Sequence, residues 1–253
     1  MIDAQTVIRD IIAGHPGTIE VFERYRIEFC CSGYQRLADA CEAAGAATGE
    51  VLASLRAIAA ALSPDEAPHW ERASLRQLAG FIRHHHHEYE RRAIQEIRKL
   101  LAQVRAAQPP ENQALDKVAS LFGLLAQETL FHLAKEEHGL FPRIERLEGM
   151  SRGEILSAPT APNGKHEEAT IRVMMEDHDA AGVMMRQIRQ LSGEFRPPAG
   201  ASRQAELLYR SLAEFERDLH RHVHLENNIL FPRALRLEEE LRRRPVAHGE
   251  ALH

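Results

Sequence analysis

Apolar residues along most of this chain recur every three to four positions, and runs that alternate apolar and polar at period two are hard to find. Four long segments carry the helical period, over about 70–105, 114–148, 166–191 and 203–242. The breaks between them are AAQPPENQ (106–113), SRGEILSAPTAPNGK (151–165) and SGEFRPPAGAS (192–202), each with the proline, glycine and small polar residues of loops. Four long helices joined by such breaks predict a four-helix bundle. Upstream, SPDEAPHW (63–70) interrupts the pattern and reads as a linker. Residues 1–62 carry shorter periodic segments punctuated by GHPG (14–17), CSG (31–33) and AAGAATGE (43–50). Pro16 suits the first position of a helix. Thr48 suits the cap of a helix whose stripe is Val51, Leu52, Leu55, Ile58, Ala59 and Leu62. The expectation is an all-α chain with three or four short helices over 1–62, a linker over 63–70, a bundle over 71–245 and a frayed tail over 246–253. The basic run Arg242, Arg243, Arg244 complements the dipole at the last helix's C-terminus.

The pattern also repeats. HLAKEEHGLFPR (132–143) and HVHLENNILFPR (222–233) share a histidine, a glutamate four residues on, and a Leu-Phe-Pro-Arg finish. The preceding helices match too: His87 with Ile97, Arg98 and Leu100, against His178 with Ile188, Arg189 and Leu191. The offset is 91 in one pair of helices (178 − 87) and 90 in the other (222 − 132). A duplicated two-helix unit related by a pseudo-twofold would face its two sets across the bundle core.

Residues i and i+4 lie on one helix face, so His132 points with Glu136 and His222 with Glu226. Leu125, Leu133, Leu140 and Phe141 flank the first pair; Phe215, Leu219, Leu230 and Phe231 flank the second. Both pairs therefore sit beside the buried stripe, where an unpaired carboxylate is costly and a cation neutralises it. Imidazole and carboxylate suit first-row transition metals, and bundle cores are where carboxylate-bridged dimetal sites are built. The set is His87, His132, His178 and His222 with Glu136 and Glu226. Two His per iron, two bridging Glu and one oxo or hydroxo bridge give each iron five ligands and leave a sixth position open for a small diatomic. Zinc is the alternative metal, although six ligands with two bridges exceed a tetrahedral zinc site. Glu128 and Asp218, four residues before His132 and His222, are expected to accept from the imidazole nitrogens that do not hold metal. Asp177, next to His178, is a weaker candidate because neighbours on a helix diverge. In the run His84–His87, His84 lies three before His87 and is a candidate extra ligand, while His138, His220 and His224 fall off the ligand face and read as surface.

Composition narrows the setting. A net charge of −5 gives no reason to expect nucleic acid or an anionic membrane as partner. No stretch approaches the roughly 20 apolar residues of a membrane span, and the start lacks a signal peptide's pattern. Three cysteines, two of them adjacent, make no disulfide framework, so a reducing cytoplasm is the expected place.

HLAKEEHGLFPR, EDHDAAG (176–182), HVHLENNILFPRAL and HHHHEYERR together resemble the hemerythrin-like domain of the iron–sulfur cluster repair di-iron proteins, also called regulators of cell morphogenesis and NO signalling. HPGTIEVFERYRIEFCCSG resembles the short cysteine-pair domain in front of it, so the likeness spans residues 2–242. CCSG stands where that family usually has CCGG, and four consecutive His stand where one or two are usual. Oxygen-carrying hemerythrins, with five His and a His-x-x-x-His pair, resemble the chain less. The resemblance implies a cytosolic stress protein that restores clusters damaged by nitric oxide or peroxide by giving up iron. Its partners would be damaged iron–sulfur proteins or a cluster scaffold, with NO and O2 as small ligands and room for a homodimer. Cys30 and Cys31 would then serve iron transfer or redox chemistry; read without the family, they are a packed turn before Gly33. NO reduction at the irons, or O2/NO sensing, needs the same six ligands and is the alternative. Whether the chain is an enzyme is left open.

Overall fold

The computed structural model describes residues 2–61, 70–107, 113–155 and 166–243. The linker expected at 63–70, save Trp70, and the tail expected at 246–253 lie outside the described residues. The N-terminal part holds α1 (Ile8–Gly14), α2 (Ile19–Tyr25), α3 (Leu37–Ala43) and α4 (Thr48–Ala61), with Pro16 opening a short 3₁₀ turn before α2. Val51 and Leu55 of the expected α4 stripe are fully buried.

The four long helices are present, but three of them are composite. The first is α5 (Leu75–Ile82), a π turn over Arg83–His87, and α6 (Glu88–Ala106). The second is α7 (Gln113–Lys135), a π turn over Glu136–Leu140, and α8 (Phe141–Ser151). The third is the single helix α9 (His166–Leu191). The fourth is α10 (Arg203–Leu225), a π turn over Glu226–Leu230, and α11 (Phe231–Arg243). The shared Leu-Phe-Pro-Arg finish explains two of these joints. Pro142 and Pro232 lack the N–H that an uninterrupted helix would send back one turn, and their rings crowd that turn's carbonyl. The wider i→i+5 turn just upstream takes up the mismatch. The third π turn turns two consecutive residues inward, His86 and His87, both buried.

Local chemistry fixes the helix starts. Ser74 and Gln77 form a reciprocal capping box at α5. There the Glu148 carboxylate, reaching over from α8, accepts the N–H groups of Leu75 (2.9 Å) and Arg76 (3.0 Å). Ser202 accepts from the Ala205 N–H at the start of α10.

Packing divides the apolar interior in two. One cluster joins α5, α8 and α11 through Leu78, Ile82, Phe141, Ile144 and Phe231. The other runs from Ile94, Ile97, Phe122, Met185 and Phe215 in the bundle into Ile8, Phe22, Phe29 and Leu37 of the N-terminal helices. The N-terminal part is thus packed on the bundle and shares its core. Phe29 lies against the rings of His220 and His224, at 6.0 and 5.8 Å between centroids. Glu23 accepts from two of the Arg221 guanidinium nitrogens, Nε and Nη2, at 3.0 and 3.1 Å. The Asn228 side-chain amide donates to the carbonyls of Phe29 (3.2 Å) and Cys30 (3.0 Å).

This docking corrects the expectation for His224, which is buried under Phe29, its pKa pushed down to about 4 by burial. The face that looked solvent-exposed on the bundle alone is covered by the N-terminal helices. His220 is half-buried in the same way, and His138 is exposed. A β-carbon at Gly33 would lie 2.2 Å from the Asn228 side-chain oxygen, so any larger residue must displace that side chain from the carbonyls it holds. Gly33→Ala is therefore expected to loosen the docked loop and speed alkylation of the buried Cys30, measured by timed thiol labelling and mass spectrometry. An unchanged rate would show that Asn228 swings aside without freeing the loop. Among the described residues no helix is long and apolar enough to cross a membrane.

Candidate metal centre

Between the two apolar clusters lies a polar layer made of His87, His132, Glu136, His178, His222 and Glu226, each at most 7% exposed. The six side chains expected from the repeat meet there. His87 and His222 face each other through their Nε2 atoms at 3.2 Å, and His132 and His178 do so at 2.9 Å. The two carboxylates span the pairs. Glu136 sets Oε2 3.5 Å from His87 and Oε1 3.2 Å from His132. Glu226 sets Oε1 3.0 Å from His222 and Oε2 3.1 Å from His178. Two four-residue sets result, His87/His222 and His132/His178, and both carboxylates belong to each. The i,i+4 spacing stacks His over Glu at the end of α7 and α10, and the π turn beginning at each Glu aims the pair inward.

The outer nitrogens fix the rings. His87 Nδ1–H donates to Glu137 (2.8 Å), His222 to Glu90 (2.8 Å), His132 to Asp177 (3.1 Å) and His178 to the Asn227 side-chain oxygen (2.9 Å). With Nδ1 committed to donation, all four Nε2 atoms are left to converge on the interior. These partners differ from the expected ones. Asp218 pairs with His86 (3.0 Å) rather than with His222, and Glu128 is exposed at the rim of a neighbouring cavity. Asp177 serves His132 on α7 rather than the adjacent His178, and Lys135 holds it in place. A carboxylate four residues back lies beside its histidine, but the ring reaches across the core and its Nδ1 meets a neighbouring helix. His84 is also corrected: its side chain is 66% exposed and bonded to Glu88, because it leaves the π turn on the solvent side.

Sequence reasoning missed Glu90, Glu137 and Asn227. Two of them carried a signal. Glu137 and Asn227 are the residues after each bridging Glu and occupy equivalent repeat positions (227 − 137 = 90). The π turn brings that next residue inward too.

Electrostatics complete the case for cations. All four carboxylate oxygens of Glu136 and Glu226 are buried without a hydrogen-bond partner among the described residues. Burial works against charge on His132, yet the Glu136 carboxylate above all lifts it to about 9. His222 is likewise held well above the ordinary histidine range by Glu226 and Glu90 against its burial, while burial and the charge on His222 push His87 down. Without metal, protons on one imidazole of each pair do part of the work of cations. A donor set of four convergent imidazole nitrogens and two shared, otherwise partnerless carboxylates fits two first-row metal ions.

The sign of the pH dependence follows. His132 has a folded pKa of about 9 against an ordinary 6.5, so its stabilisation is complete below 6.5 and lost as pH rises through 9. The thermal midpoint of metal-free protein is expected to fall across that window, and His132→Gln to flatten the slope. A wild-type slope that His132→Gln leaves intact would place the titration elsewhere.

Comparisons with known proteins match the stretch of chain that holds these residues. A family model described as the hemerythrin HHE cation binding domain matches residues 84–234, and ScdA_N, a domain of unknown function (DUF542), matches residues 4–59. The protein named iron-sulfur cluster repair protein YtfE from Yersinia pseudotuberculosis serotype IB (strain PB1/+) is 31% identical over 223 residues, which cover 88% of this chain and 93% of that protein. The protein of the same name from Yersinia pestis (strain Pestoides F) matches with the same identity and coverage.

Proposed function

The chain belongs to the family of hemerythrin-like iron–sulfur cluster repair proteins, and on that footing we propose that it restores damaged clusters by giving up iron held at the six-residue centre. The observation that carries the reading is the pair of carboxylates, buried, partnerless and shared by two histidine pairs. His87 and His222 would hold one iron and His132 and His178 the other, with Glu136 and Glu226 common to both sets. Bound there, the irons supply releasable metal and open positions for a small ligand. The protein supplies the rest: Glu137, Glu90, Asp177 and Asn227 hold the rings in the metal-binding tautomer, and the two apolar clusters keep bulk water away. Damage by nitric oxide or peroxide in the cytoplasm sets the demand, and damaged iron–sulfur proteins or an apo scaffold receive the metal.

A second reading, binding or reduction of NO or O2, is favoured by one observation. A cavity of about 130 Å³ touches His132, His178 and His222 and is lined by Thr129, Ala181, Met184 and Val223. It is large enough for a diatomic, and the buried Thr129 hydroxyl there has no partner among the described residues. Anaerobic incubation of the reduced, iron-loaded protein with NO and an excess of a chemical electron donor, and separately with an apo cluster scaffold, decides between the two. Iron transfer to the scaffold without catalytic N2O supports repair. Multiple-turnover N2O supports reduction, and a stable adduct with neither supports sensing.

A further inference from the structure

We propose that Glu28, Cys30 and Cys31 form a second metal site, for a single thiophilic divalent cation, separate from the six-residue centre. The loop that carries them leaves α2 through Arg26, whose left-handed conformation (φ 56°) ends that helix. The chain then curls around the Glu28 carboxylate. Glu28 Oε1 accepts the N–H of Cys30 (3.0 Å), the N–H of Cys31 (3.2 Å) and the Cys30 thiol (2.9 Å). One oxygen and two sulfurs from three residues thus lie within 4.8 Å of one another.

The sulfur geometry suits a metal. The two Sγ atoms are 3.8 Å apart. A tetrahedral ion with metal–sulfur bonds of about 2.3 Å separates two thiolates by about 3.8 Å, the length of the tetrahedron's edge. Binding therefore needs no rearrangement of the sulfurs. It needs the Cys30 S–H to turn away from Glu28 and the carboxylate to swing onto the ion. Each thiol gives its proton to solvent, two protons leave for one cation bound, and no oxidation state changes.

The site is anchored and open. The Cys30 carbonyl is held by Asn228 (3.0 Å) and Asn227 (3.4 Å) from the bundle, so the loop does not have to order on binding. Asn227 is also the residue that orients His178, which makes one side chain common to both sites. On the other side, Glu28 and Cys31 line a cavity of about 830 Å³ between the N-terminal helices and α9 and α10, with His220 and Asp179 on its wall. Three protein ligands and a fourth position facing that cavity describe an exchangeable ion rather than a closed structural one. This assignment does not depend on what the iron centre does.

The test uses full-length protein with its iron centre already filled, titrated anaerobically with Co²⁺. Wild type is expected to bind one further ion per chain, with sulfur-to-cobalt charge-transfer absorption and the release of about two protons. The double variant Cys30→Ser, Cys31→Ser should lose that absorption while keeping its iron, and Glu28→Gln should weaken binding by about tenfold or more. Should the double variant lose iron or helix content, Cys31→Ser alone, at the half-buried position, carries the same expectation. No charge-transfer absorption in wild type, or equal absorption in the cysteine variants, would overturn the proposal.

Discussion

Glu136→Leu or Glu226→Leu is expected to bring iron from two per chain to less than one, whereas His138→Ala and His84→Ala keep both. Each carboxylate turns one oxygen to each histidine pair, so one substitution removes a ligand from both ions at once. His138 and His84 are exposed and touch neither pair. The same leucine variants make an opposite prediction for metal-free protein. There the carboxylate's counter-charge is the proton it holds on His132 or His222, and once the carboxylate is gone the buried imidazole sheds that proton, so an apolar replacement is expected to be neutral or stabilising. Metal analysis beside thermal melts of loaded and metal-free protein checks both halves. Leucine variants that retain two irons would show that the carboxylates are structural.

Arg189→Ala is expected to cost about 3–5 kcal/mol of folding stability without removing a metal ligand. Its guanidinium donates to both oxygens of Glu216, with Nε–H···Oε1 at 2.9 Å, and reaches Glu194 at 3.3 Å. It also lies over the Phe195 ring at 4.8 Å. Glu216 is 2% exposed, so the alanine leaves a buried charge with its partner gone. Urea unfolding of iron-loaded protein measures the loss, and the double change Arg189→Met, Glu216→Leu should recover most of it. A loss below about 1 kcal/mol for Arg189→Ala would mean that water reaches Glu216 and the pair behaves as a surface bridge.

Arg189 also marks where sequence stops informing. Its repeat partner Arg98 sits at the matching position on α6 but is exposed, so the likeness foretold the helix face and not the ion pair. What was legible follows from periodicity and duplication. The 3.6-residue stripe placed the four helices, and the doubled His-x-x-x-Glu with its doubled lone His placed all six central residues together. What was not legible depends on groups meeting across helices. Glu90, Asp177 and Asn227 partner histidines on other helices, and no spacing within one helix records that. The π turns escaped notice because each adds no break in apolar pattern, although Pro142 and Pro232 marked two of the joints. The docking of the N-terminal helices escaped because the break at 63–70 suggested separate units. The cluster that joins Ile8, Phe22 and Phe29 to the bundle, and the burial of His224 under Phe29, reveal a common core.

The most direct measurement of the central claim is iron content together with iron-edge X-ray absorption on protein loaded anaerobically with ferrous iron, in wild type and in Glu136→Leu. Two irons per wild-type chain are expected, in a nitrogen and oxygen shell with several imidazoles and an iron–iron contribution, the last of which disappears in Glu136→Leu. One iron per wild-type chain, or two without an iron–iron contribution, would contradict the claim.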